Sequence, residues 1–396
     1  MDRSEQVPLI GAAGVPSRRS AVAPFIAMDV KSAANALEAA GQRVLHMEIG
    51  EPGASTPPSI RAAAHAALDE GRLGYTEALG WRPLRERIAR HYEDYYGVVV
   101  SPSRIAVTTG SSAGFNLAFL AAFDHGDRVA IAAPGYPAYR NILAALGLHV
   151  VELPTAARDR HAVTPEMLER AHASGPLAGI LIASPANPTG TMMTPEALAA
   201  LVATADRLGI RFISDEIYHR LSYGGTEATA LAFSDSTIVI NSFSKYYCMT
   251  GWRIGWMILP DELVRPVERI GQSLYISAPD LSQRAALAAF DATEELETIK
   301  AGYAANRRLL LARLPAMGFD EFFPVDGAFY VYASTRRFTN DSAAFAQAML
   351  KEAGIAATPG LDFDRARGDG YIRFSFAGAE AEIAEAVNRL EGWLKR

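Results

Sequence analysis

Gly179-Ile180-Leu181-Ile182-Ala183-Ser184-Pro185-Ala186-Asn187-Pro188-Thr189-Gly190 is followed by a helical segment, Pro195–Leu208, and then by Ile210-Arg211-Phe212-Ile213-Ser214-Asp215-Glu216-Ile217-Tyr218. Both apolar runs are short, and both stop at polar or turn-forming residues, the pattern of a buried strand. A strand, a helix and a second strand in this order imply a right-handed crossover and parallel pairing.

The same behaviour recurs upstream. Arg104–Val107 ends at Thr108-Thr109-Gly110-Ser111-Ser112 and a helical pattern, Ala113–Phe123, while Arg128–Ala132 ends at Pro134-Gly135-Tyr136-Pro137. Downstream, Thr237–Ile240 ends at Asn241-Ser242-Phe243-Ser244-Lys245. The alternation predicts an α/β fold whose large domain is a three-layer α/β/α unit with a mainly parallel sheet. In such sheets ligands sit beyond the carboxyl ends of the strands. One pocket is therefore expected to receive all of these tails.

After Pro279 the character changes. Helical stretches Gln283–Phe290 and Leu296–Leu314 give way to an alternating strand-like run, Gly327–Tyr332, then to a helix, Ser342–Ala353, a strand, Tyr371–Phe376, and a last helix, Glu380–Leu394. This predicts a smaller α+β domain over residues 291–396, a large domain over 46–290, and an N-terminal arm over 1–45. The helical stretch Ala27–Ala40 of that arm is expected to pack with the small domain.

At 396 residues the chain is long enough for one large and one small domain. A net charge of −6 without a basic run gives no nucleic-acid surface. Cys248 is the single cysteine, which excludes an internal disulfide framework and fits a reducing, cytoplasmic setting. No apolar stretch reaches the roughly 18 residues of a membrane span. Val7–Val15 is apolar enough to suggest a signal peptide, but Asp2, Glu5, Pro8 and Pro16 around it favour a flexible arm.

Lys245 is the only lysine between Lys31 and Lys300, in a chain that otherwise takes its positive charge there from arginine. An amine forms an imine once a pocket lowers its pKa, and a guanidinium does not. The plain alternative is a surface lysine in a hairpin. Gly110-Ser111-Ser112 opens a helix, whose free N–H groups favour an anion, although taken alone a serine there more simply caps the helix. Arg253, between Trp252 and Ile254, needs an internal partner or a phosphate held with Ser111, Ser112, Ser242 and Ser244. Asp215 closes a strand and either caps the next helix or keeps a ring nitrogen protonated. Tyr218 and Asn187 could hydrogen-bond a phenolic oxygen, and Tyr136 offers a face for stacking. Together these side chains are the complement of pyridoxal 5′-phosphate, which requires a lysine and an acid partner on the pyridinium. No metal is called for.

The chain resembles the class I/II aminotransferases, the fold-type-I pyridoxal-phosphate enzymes, from about Val22 to the C-terminus. The resemblance rests on Ser242-Phe243-Ser244-Lys245-Tyr246-Tyr247-Cys248-Met249-Thr250-Gly251-Trp252-Arg253-Ile254-Gly255. It is supported by Gly74-Tyr75-Thr76, Asn187-Pro188-Thr189-Gly190, Asp215-Glu216-Ile217-Tyr218 and Tyr371-Ile372-Arg373-Phe374-Ser375-Phe376. It implies Lys245 as Schiff-base lysine and proton shuttle, Asp215 on the pyridine nitrogen, and Asn187 and Tyr218 on the ring oxygen. It also implies Ser111, Ser112, Ser242 and Arg253 on the phosphate, Tyr136 on the ring, and Arg373 as a fork for the substrate α-carboxylate, with Gly50 letting backbone approach. Tyr75 would reach the phosphate of a neighbouring subunit, which implies a homodimer with shared sites. The implied reaction is ping-pong transfer between an L-amino acid, aspartate-like or aromatic, and a 2-oxo acid such as 2-oxoglutarate. Arg140, near Tyr136, is a candidate for a distal carboxylate, with a surface role the equal alternative. The same scaffold could host a β-lyase or decarboxylase. A ligand-sensing regulator would need a DNA-binding module that the roughly 20 residues before the resemblance cannot supply.

Overall fold

The computed structural model describes residues 16–319 and 321–396. The arm expected at the N-terminus lies, for residues 1–15, outside the described residues. In chain order the strands are β1 (Leu45–His46), β2 (Ile105–Thr108), β3 (Arg128–Ala133), β4 (His149–Pro154), β5 (Gly179–Ala183), β6 (Arg211–Asp215), β7 (Ile238–Ser242) and β8 (Gly255–Ile258). They continue with β9 (Tyr330–Ser334), β10 (Ile355–Ala356), β11 (Thr358–Pro359) and β12 (Tyr371–Ser375).

Seven strands form one sheet in the order β2-β8-β7-β6-β5-β3-β4. The pairs β3–β4, β3–β5, β5–β6 and β6–β7 are parallel, and β8 alone is reversed, antiparallel to both β2 and β7. The reversal has a local cause. The link from β7 to β8 contains a single 3₁₀ turn, Thr250–Trp252, and no helix to carry the chain back across a sheet face. Because β2, β3, β5, β6 and β7 run the same way, their tails leave at one edge.

The sheet is covered on both faces, as its near-continuous apolar strands require. Side chains alternate between two cores: Ile180, Ile182, Phe212 and Val239 enter one, and Leu181, Ile213, Ile238 and Ile240 the other. The helix Pro195–Leu208 shows how sequence fixes a covering element. Thr194 accepts a hydrogen bond from Ala197 N–H, Pro195 sits in the first turn, and Gly209 ends the helix at φ 67°. Its buried positions Leu198, Leu201, Val202 and Ala205 follow one helical stripe. Leu201→Ala would cost about 2–5 kcal/mol, the range for emptying a buried leucine site.

Downstream, β11-β12-β9 form an antiparallel sheet and β1 pairs parallel with β10. The helices Thr293–Met317, Ser342–Ala353 and Glu380–Leu394 accompany them. The N-terminal helix, Ile26–Ala39, places Ala34 in a cluster with Val44, Leu350 and Ala356. The run Gly327–Tyr332 is not a strand from its start. Ala328 takes φ 58°, outside extended backbone, and β9 begins only at Tyr330. Among the described residues, no helix is long and apolar enough to cross a membrane.

Candidate functional site

A cavity of about 230 Å³ opens at the sheet edge where the tails of β2, β3, β5, β6 and β7 converge. Its wall includes Gly50, Ser111, Ser112, Tyr136, Asn187, Asp215, Tyr218, Lys245, Arg253 and Arg373. Parallel strands deliver the loops that carry Ser111, Tyr136, Asn187, Asp215 and Lys245 to one edge, and Gly50 and Arg373 close the cavity from outside that sheet.

Lys245 lies in the loop after β7 and is no surface lysine: Nζ donates to the Gly50 carbonyl at 2.5 Å. Burial pushes its pKa down to about 8, and the Arg373 and Arg253 charges push the same way, while Glu51 and Asp215 oppose them. The amine is therefore far easier to deprotonate than an ordinary lysine.

Asp215, at the end of β6, is 2% exposed. It accepts hydrogen bonds from Tyr139 O–H and from Ile217 N–H, the latter at 3.1 Å. Burial raises its pKa to about 6, and those two donors restrain the rise. No helix follows β6 directly, so Asp215 bonds only the turn at Ile217, and, with no side-chain cation bonded to it among the described residues, it is a good receptor for a positive group brought by a ligand.

At the start of the helix Ser111–Ala122 the N-cap is Gly110, and no side chain caps it, so the simpler capping role for the serines does not hold. The first-turn N–H groups remain free for an anion. Gly110 has φ 77°, and a Cβ on it would stand 2.3 Å from Arg253 Nη2. Only glycine lets the guanidinium lie under this helix start. Arg253 is anchored by Nη1 donating to Thr250 O at 2.9 Å.

Two sequence expectations need correction. Ser242 is 1% exposed and does not line the cavity; its hydroxyl bonds Ser244 Oγ and the Ile254 carbonyl inside the turn, and of these two serines only Ser244 reaches the wall. Arg140 is neither on the surface nor in the wall. It is buried, with both terminal nitrogens donating to the backbone carbonyls of Asp362 and Phe363.

Arg373, on β12, is 3% exposed and lies between the rings of Tyr330 at 4.4 Å and Phe363 at 4.7 Å. Nη1 donates to Asn187 Oδ1 at 2.8 Å, Nη2 donates to the Glu48 carbonyl, and Nε has no partner among the described residues. The bond fixes the Asn187 amide so that its Nδ2 is left to donate elsewhere. A Cβ on Gly50 would fall 1.9 Å from the Tyr330 hydroxyl, so this backbone approach needs glycine. Tyr330 and Tyr218 share a hydrogen bond of 2.7 Å between their hydroxyls. Tyr136 meets Tyr139 edge-on, with centroids 5.3 Å apart. Tyr75 is 82% exposed and absent from the wall.

Sequence reasoning missed Tyr139, Tyr330, and the wall residues Phe25, Met28, Asp362 and Phe363. One signal was available: Tyr139 stands three residues after Tyr136, in the first turn of the helix Pro137–Ala145 that Tyr136 precedes.

The donor set fits pyridoxal 5′-phosphate: free helix N–H groups with a guanidinium at one end, a buried acid at the other, an amine of lowered pKa, and an arginine with an unused donor. A protein-family model described as aminotransferase class I and II matches residues 42–390. A valine–pyruvate aminotransferase of Mycobacterium tuberculosis is 49% identical over 95% of this chain and 97% of its own length. A solved aminotransferase structure from Mycobacterium tuberculosis is 48% identical, with a TM-score of 0.94 over 96% of this chain and 99% of that one. The aspartate aminotransferase of Thermus thermophilus, solved with maleate, is 32% identical at a TM-score of 0.90 over 96% and 99% of the two chains.

Proposed function

The chain belongs to the class I and II aminotransferases and has their fold-type-I architecture, and from that premise we propose that it moves the amino group of an apolar L-amino acid to a small 2-oxo acid such as pyruvate. Pyridoxal 5′-phosphate, when bound, supplies the aldehyde that takes the amino group and the cationic ring that accepts charge from Cα. Lys245 Nζ holds the cofactor and then carries the proton to and from the substrate Cα. Asp215 keeps the ring nitrogen protonated. Asn187 Nδ2 and the Tyr218 hydroxyl donate to the ring oxygen, and the Tyr136 ring orients the plane. Ser111, Ser112 and the free N–H groups of their helix hold the phosphate with Arg253, and Ser242 supports that turn through Ser244. Arg373 takes the substrate α-carboxylate.

The observation that carries the substrate class is the charge of the wall. Its cations are Lys245, Arg253 and Arg373, each with a role above, and Arg140 is turned away. Around the mouth stand Phe25, Met28, Ile49 and Ile217. A dicarboxylate such as aspartate or 2-oxoglutarate thus finds no further cation in the wall among the described residues, whereas an aliphatic or aromatic side chain finds apolar surface. The name of the M. tuberculosis relative supports the same direction. The exposure of Tyr75 supports the reading that it serves a second copy in a homodimer.

A donor and acceptor screen tests this, with each 2-oxo acid product quantified. Valine with pyruvate is expected to exceed aspartate with 2-oxoglutarate at least about tenfold in kcat/KM, the scale of apolar-pocket discrimination. Aspartate with 2-oxoglutarate as the best pair would overturn the substrate class. Ammonia release without a pyridoxamine form would overturn transamination itself in favour of elimination.

A further inference from the structure

We propose that Asp362 is a positioning residue for donor selection: it fastens the start of the N-terminal helix so that Phe25 and Met28 close over the cavity and contact the donor's side chain. The inference rests on the transaminase reading above.

Phe25, Ala27 and Met28 line the same cavity as Lys245, although they belong to the opposite end of the chain from Arg373. Their helix, Ile26–Ala39, starts without a cap of its own: Phe25 is the N-cap residue and no local side chain bonds the first turn. The cap comes from 336 residues away. Asp362 accepts from Ile26 N–H at 3.1 Å and from Ala27 N–H at 3.2 Å. A carboxylate on two free N–H groups at a helix start is favoured by both hydrogen bonding and the dipole.

Asp362 is 1% exposed, and among the described residues no side-chain cation bonds its carboxylate. Arg140 and Arg373 lie near enough to ease its burial, but Arg140 bonds the Asp362 backbone instead. The arginine therefore sets the acid in place, and the acid's oxygens are left for the helix. Two further contacts reinforce the seat: Asn141 Nδ2 donates to the Ala23 carbonyl at 2.9 Å, and the Phe25 ring lies 5.9 Å from that of Tyr136. Met28 is 56% exposed while lining the cavity, as a flexible side chain at a mouth would be.

The test compares the wild type with Asp362→Ala, Asp362→Asn, Met28→Ala and the double variant, all as holoenzymes, using valine and alanine as donors. Asp362→Ala should raise KM for valine about tenfold while kcat falls less than about threefold, so that the valine-to-alanine preference shrinks. Asp362→Asn, which keeps one acceptor oxygen, should recover part of the preference. Met28→Ala should add little on top of Asp362→Ala, because both remove the same contact. Trypsin should also cut at Lys31 faster in Asp362→Ala. An unchanged valine-to-alanine ratio in Asp362→Ala, or full additivity with Met28→Ala, would overturn the proposal. A wild type that transaminates neither donor would instead defeat the functional reading on which it stands.

Discussion

Tyr139 donates a hydrogen bond to a carboxylate oxygen of Asp215, which lies 76 residues further along the chain. Tyr139 comes from the helix after β3 and Asp215 from the end of β6, two strands separated in the sheet only by β5. The bond aims the acid and limits the rise that burial imposes on its pKa.

Tyr139→Phe should therefore push the Asp215 pKa above its present value of about 6. The carboxylate form would then be scarcer at mildly acid pH, and the cofactor's ring nitrogen would lose its charged partner. We expect the apparent Kd for pyridoxal 5′-phosphate to rise about tenfold at pH 6, on the scale of one charge-assisted hydrogen bond, and less at pH 8. Equal retention at both pH values, measured by cofactor titration of the apoprotein, would show that the tyrosine does not tune the acid.

Lys245 gives a second pH dependence with its own sign. Below about pH 8 the ligand-free amine is protonated and unreactive, and above it the amine is free. The rate of cofactor attachment to apoprotein should rise about tenfold per pH unit up to that point and then level off. Glu51 holds the pKa up, so Glu51→Gln should move the midpoint lower. A stopped-flow pH series that levels only near the ordinary lysine value would contradict this.

Arg373 is predicted to act on substrate binding more than on the proton transfer. Arg373→Lys keeps the charge but loses the planar fork stacked between Tyr330 and Phe363. KM for the amino acid should rise about 10- to 100-fold, the cost of about 1.4–2.8 kcal/mol of lost contact, with a smaller change in kcat. A kcat loss with KM unchanged would place the residue in another role.

Stability should carry a signature from His46. Its Nδ1 bonds Glu48 at 2.8 Å and its Nε2 pairs with Glu38 at 3.3 Å. The Glu48 hydrogen bond is the largest cause that lifts its pKa to about 9, so the folded state favours the imidazolium. That contribution is complete below the ordinary value near 6.5 and disappears as pH rises through about 9. Wild type should melt above His46→Gln at pH 6.5, and the gap in Tm should close toward pH 10. A gap that is constant across that range would mean the pair is not ionic.

Much of this was legible in the residues. The helical segment Pro195–Leu208 was legible to its ends, and the runs before Asp215 and Lys245 lie on strands. Lys245 was visible because it is chemically alone in its region of the chain. Less was visible where tertiary contact decides the outcome. Ser242 and Ser244 have the same chemistry and differ only in which hydroxyl the turn consumes. Arg140 looks like any helical arginine until the carbonyls of Asp362 and Phe363 are brought to it. The contact between Asp362 and Ile26 leaves no local pattern, since neither residue's neighbours register the other.

Borohydride reduction of the holoprotein followed by peptide mapping bears most directly on the site. A pyridoxyl group should be found on the peptide carrying Lys245 and be missing in Lys245→Ala, which should also lose turnover by at least about a thousandfold, within the span of a positioned acid–base group. An unmodified Lys245 in reduced, fully reconstituted protein, or a pyridoxyl group on another lysine with activity retained in Lys245→Ala, would contradict the assignment.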